Sequence, residues 1–137
     1  MKGKRLVAEG VIVVCLFAAF IYYLQFGREM EVLHAYSSTS LTYRTEHVLV
    51  VVNKIYISDQ ERCAEEIINR CKKNTFKGIR FQYNQLVPNE LYVAVYRSKE
   101  QAWTDLPDFS FSYLPEIRDG SYNILDDADK FCMVIKK

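Results

Sequence analysis

The chain reads as an α+β protein. Three observations carry that reading: a helix with a strong start signal at residues 60–73, several strand-length apolar segments with no further long helix after it, and a separate apolar run at residues 6–26. The expected order is β-α-β-β-β-β, with one helix laid across a curved antiparallel sheet.

The apolar run comes first and includes "VIVVCLFAAF", residues 11–20. A lipoprotein signal needs small residues before its cysteine, and Ile12, Val13 and Val14 precede Cys15. A cleavable signal needs an A-x-A-like site after a short apolar region. Here Leu16 and Phe17 stand two residues before Ala18 and Ala19, and the run continues to Leu24. A retained membrane helix fits better: residues 6–26, at ~1.5 Å per residue, span about 31 Å against a hydrocarbon core of ~30 Å. Glu9 lies near the amino end, where a carboxylate can reach the headgroups. Tyr22, Tyr23 and Phe26 supply an aromatic belt at the other end. Lys2, Lys4 and Arg5 precede the helix, so the positive-inside bias predicts a cytoplasmic amino terminus (residues 1–5) and an extracytoplasmic remainder.

Of the 18 basic and 17 acidic residues, setting aside Lys2, Lys4, Arg5 and Glu9 leaves 15 and 16, a near balance. No basic stripe stands out, which argues against a nucleic-acid partner. No Asn-x-Ser/Thr site is present, which leans toward a bacterial envelope protein. Residues 27–46, charged at first and then "SSTSLT", read as a juxtamembrane spacer, with 41–44 as an edge-strand candidate. The α+β domain is expected over residues 47–137.

Within it, residues 48–52 are continuously apolar and β-branched, as in a strand buried on both faces, and "KIYIS" extends them past a bend at Asn53. Ser58 and Glu61 have capping-box spacing. Cys63, Ala64, Ile67, Ile68 and Cys71 then fall on one helical face, Lys72 and Lys73 complement the dipole, and Asn74 stops the helix. Ile79, Phe81 and Tyr83 alternate with polar residues, "VPNE" makes a turn, and Leu91, Val93 and Val95 alternate with Tyr92, Ala94 and Tyr96. This predicts a hairpin. Phe109, Phe111 and Tyr113 mark a fourth strand, and Phe131, Met133 and Ile135 a fifth.

That order resembles the connectivity of cystatin-like folds; a ferredoxin-like sandwich is the alternative, but it needs a second helix where "SKEQAW" is short. "QLVPN" (residues 85–89) matches the cystatin hairpin pattern Gln-x-Val-x-Gly at Gln85 and Val87, with Asn89 in place of the glycine. The resemblance implies a protease-binding hairpin as a remote alternative. The second cystatin loop's Pro-Trp pair is missing.

Other chemistry is weakly encoded. Cys63 and Cys71 are too far apart on one helix to pair, at ~12 Å against a limit of ~7 Å, and their place on the apolar stripe makes them core residues. A bond from Cys132 to one of them is the open alternative. His34 and His47 lack a spacing that suggests catalysis. "DDAD" (126–129) fails the alternation of a calcium loop and reads as a solvated turn. The sequence thus predicts no metal, no cofactor and no enzyme. It predicts a single-pass membrane protein that holds the bilayer through residues 6–26 and presents a module to a protein partner in the envelope. Tyr92, Tyr96 and Trp103 are the candidate binding patch, with Gln85 and Val87 from the hairpin. The rival is an extracytoplasmic enzyme or small-ligand receptor on the same sheet, which a deep pocket with convergent polar groups would favour.

Overall fold

A computed structural model describes residues 2–76, 79–83, 86–104 and 106–136. The chain is α+β: helix α1 (Lys2–Phe26) leads into strands β1 (Glu31–Ser40) and β2 (Tyr43–Val51). Helix α2 (Gln60–Lys73), β3 (Glu90–Tyr96), the short α3 (Lys99–Thr104), β4 (Phe109–Pro115) and β5 (Phe131–Lys136) follow. The strands form one sheet in sequence order, β1-β2-β3-β4-β5.

The apolar run is helical throughout, and no side chain of α1 is buried. By length and composition α1 can cross a membrane.

Helix α2 spans the residues its pattern predicts, and its apolar stripe from Cys63 to Cys71 is buried. Its start differs from the expected capping box. Asp59, not Ser58, is the N-cap, and its carboxylate accepts from the Arg62 amide at 3.1 Å. Asn74 ends the helix at φ 57°, a left-handed conformation that asparagine tolerates. Against α2 the sheet presents Val48, Val50, Leu91, Val93, Val95, Phe109, Phe111 and Tyr113, and this layer is the core.

Three expectations are corrected. First, residues 27–46 are not a spacer: residues 31–40 form β1, antiparallel to β2, with "SSTS" running to the hairpin tip at Leu41 and Thr42. Met30 and Val32 already lie in the core, so the sheet begins well before residue 47.

Second, residues 79–83 form no strand. Phe81 is buried beside the end of α2, and the Asn74 side chain takes both of its backbone groups, at 2.7 and 2.8 Å. The Tyr83 hydroxyl donates to the Cys71 carbonyl at 2.7 Å. Alternation here reflects rings packing on a helix end, with a side-chain amide standing in for a neighbouring strand. "KIYIS" is likewise outside the strand, because Asn53 turns the chain away at φ 56°.

Third, the sheet is mixed. β2 and β3 are parallel, joined by the crossover through α2. The observed order, β-β-α-β-β-β with the short α3 between β3 and β4, therefore departs from the cystatin-like connectivity, and "VPNE" leads into β3 instead of closing a hairpin. Pro88 is fully buried, and Asn89 is buried with its side chain bonded to the Arg44 amide and the Tyr122 carbonyl, both at 2.8 Å.

Candidate functional site

Alternation gives the sheet a second face, opposite α2. It carries His34 and Tyr36 from β1, His47 and Leu49 from β2, Tyr92, Ala94 and Tyr96 from β3, Ser110 and Ser112 from β4, and Cys132, Val134 and Lys136 from β5. Two ends of this face are covered. Where β2 and β3 end, Val51 and Tyr96 are buried. There α3 follows β3, and Lys99 reaches Glu31 on β1 at 3.0 Å.

At the other end stands Glu90, only 3% exposed. Its Oε2 accepts from the Tyr43 hydroxyl at 2.7 Å and from Arg118 Nε at 3.0 Å; its Oε1 accepts from Thr45 Oγ1 at 2.8 Å and from Arg118 Nη2 at 3.0 Å. Burial alone would raise this carboxyl's pKa, but the hydrogen bonds from Arg118, Tyr43 and Thr45 outweigh it and hold the group below the ordinary glutamate value. Tyr43 is pushed up to about 12, by burial and by the carboxylate it donates to. Arg118 Nη2 also donates to the Tyr92 hydroxyl at 3.1 Å, so the buried ion pair orients a ring of the open face.

Between the covered ends the face is open. Tyr36, His47 and Tyr92 are register partners on three adjacent strands, and their rings stack at centroid distances of 4.5 and 5.3 Å with interplanar angles of 7° and 14°. His34 adds a tilted ring 5.9 Å from Tyr36. This ladder walls a cleft of about 330 Å³ whose lining also includes Leu49, Ala94, Ser110, Ser112 and Lys136. Flat π-faces over small residues and hydroxyls suit an apolar or aromatic group; one good ring pair contributes about 0.5–1.5 kcal/mol beyond its buried area. No known protein family, curated protein or solved structure matches the chain.

The residues singled out from the sequence fall in different places. Tyr92 belongs to the cleft. Tyr96 shares its face but is buried at the α3 end, and Trp103 is exposed on α3, outside the cleft. Val87 packs against the core, where it is unavailable for a wedge of the cystatin kind, and Gln85 lies outside the described residues. Tyr36 escapes the sequence reading, and His34 and His47 enter it only as catalytic candidates, because the signal that joins the three is cross-strand register. Among the described residues no three His, Cys, Asp or Glu side chains converge in a metal-binding group. Asp126 and Asp127 instead accept hydrogen bonds from Asn123.

All four cysteines are free thiols. Cys63 and Cys71 are buried on the α2 side, whereas Cys132 is exposed on the opposite face of the sheet, so no bridge joins them. Burial and nearby Glu66 push Cys63 up to about 11; burial and then Glu46 push Cys71 up to about 12. Since the thiolate is the reactive form, thiol reagents at neutral pH should modify Cys132 in the folded chain and reach Cys63 and Cys71 only on unfolding. Rapid labelling of either helix cysteine would refute their place in the core.

Proposed function

We propose that this chain is a non-enzymatic, single-pass membrane protein. In this reading α1 is an uncleaved anchor with residues 1–5 in the cytoplasm, and the α+β domain is displayed outside, where its open sheet face docks a protein partner in the envelope. One observation carries the docking: the Tyr36–His47–Tyr92 ladder stands on a sheet face that nothing in the described chain covers between its two ends. Aromatic rings exposed in a contiguous, polar-rimmed patch are the usual mark of an interaction surface. The cleft lies open along the sheet instead of enclosing its contents, which favours a docked side chain over an enclosed substrate. The anchor is supported by the length and composition of α1 and by the basic residues Lys2, Lys4 and Arg5 at its amino end.

Cys132 makes both parts testable at once, because it is exposed on the open face. A membrane-impermeant maleimide carrying a photo-cross-linker, added to intact spheroplasts of a Cys15→Ser chain, should couple to Cys132. Irradiation should then give a discrete protein adduct that disappears when Tyr36→Ala and Tyr92→Ala are introduced. Coupling only after lysis would reverse the topology; coupling without an adduct would remove the docking role.

A further inference from the structure

We infer that the loop following β2 is a second membrane contact, with Ile55 and Tyr56 seated in the lipid interface beside the end of α1. This rests on the reading of α1 as an anchor and extends it to the domain. After β2 the left-handed Asn53 turns the chain toward α1, and its side chain donates to the Glu29 carbonyl at 2.8 Å. Gln25, in the last turn of α1, then clamps the loop: Oε1 accepts from the Ile55 and Tyr56 amides at 2.9 and 3.0 Å, and Nε2 donates to the Tyr56 carbonyl at 2.6 Å. Lys54 Nζ sits 5.3 Å from the centroid of the Phe26 ring.

Three backbone groups of this loop are thus held by α1, the Lys54 amide and the Ile55 carbonyl being held by Arg97, while the Ile55 and Tyr56 side chains stay partly or largely exposed. Ile55 is 44% exposed and Tyr56 65%. They stand at the level of Tyr22, Tyr23 and Phe26, whose rings are also exposed and mark the end of the apolar span. A bilayer holding α1 brings its interface to this level, and tyrosine beside an aliphatic residue favours the headgroup boundary. Trp103 and Leu106, both exposed, lie at the same end of the sheet. Charge does not drive the contact: Lys99 pairs with Glu31 and Arg97 with Asp108, and the nearby Arg28 and Lys54 are matched in number by Glu29 and Asp59, so there is no basic excess. A zwitterionic surface suffices.

The test uses the full chain in phosphatidylcholine vesicles, with acyl chains brominated near the headgroup as the quencher. In a Trp103→Phe background, tryptophan is introduced by Tyr56→Trp, by Ile55→Trp as a second variant, or by Leu41→Trp at the far hairpin tip, where Leu41 is 98% exposed. The chain should float with the vesicles, and the Tyr56→Trp and Ile55→Trp variants should lose most of their emission while the Leu41→Trp variant keeps its own. Flotation with no quenching at 55 or 56, or with equal quenching at 41, overturns the loop contact and leaves the anchor standing. Failure to float overturns the anchor and the contact together.

Discussion

An Arg118→Ala chain is expected to lose about 2–3 kcal/mol of unfolding free energy at neutral pH. Removing one partner of a buried ion pair typically costs 3–5 kcal/mol, because the other charge is left behind without compensation. Here Glu90 is the charge left behind, with only the Tyr43 and Thr45 hydroxyls to serve it. The figure is lowered because the Arg118 side chain is 54% exposed, so water can enter from its side once it is gone.

The pH dependence carries a sign that separates this ion pair from generic packing. In the native chain the Glu90 pKa is depressed below its ordinary value of 4.5. Its contribution is therefore complete above that value and is lost as pH falls through the lower, folded-state pKa. Burial is already the largest single influence on the carboxyl, and without Arg118 only the Tyr43 and Thr45 hydroxyls oppose it, so its pKa should rise and acidification from neutrality should restore part of the lost stability. Urea unfolding at a series of pH values checks this. An Arg118→Ala chain within about 0.5 kcal/mol of the parent, the range of ordinary surface substitutions, would mean that the pair contributes nothing.

The second large effect is expected at Phe109, which opens β4 and is 2% exposed in the middle of the core. Phe109→Ala deletes the ring that stacks 6.3 Å from Phe111 and leaves a cavity under α2, at a cost of about 3–5 kcal/mol. Small domains have only ~5–15 kcal/mol in total, so the variant should have a much lower denaturant midpoint, with an unchanged slope. Trp103→Ala, on the exposed surface of α3, should shift the midpoint little. Equal effects at the two positions would place the core elsewhere.

Some of this architecture is written locally and some is not. α2 can be read residue by residue because stripe, charges and stop signal agree. β3, β4 and β5 can be read because their alternation survives in the fold. β1 is hidden by the register shift between Val32 and His34, which breaks its period, and by a serine-rich end that looks like a linker. The parallel pairing of β2 with β3 leaves only a partial local trace, the continuous apolar run at 48–52, because the alternation of β3 suits either direction. Residues 79–83 show the converse failure, a period of two produced by packing on a helix. The binding face divides in the same way. Tyr92 is visible in its own strand, but the ladder exists only when β1, β2 and β3 are set side by side.

The sheet's sequential order has a consequence for how the chain reaches its native state. β1–β2 closes through a two-residue turn and β3–β4 and β4–β5 through connections of 12 and 15 residues, all shorter than the one between β2 and β3. The parallel seam must wait for the stretch from Val52 to Asn89. Relative to the β4–β5 connection, that is a little over one doubling of loop length, or about 0.8 kcal/mol of extra closure entropy. The seam is recovered only when α2 docks and buries its stripe across both halves. Zipping β2 to β3 is therefore the natural rate-limiting event. Until it happens, the inner edges of the two halves offer unpaired amides and carbonyls to any neighbouring strand, and aggregation during synthesis should trace to this seam.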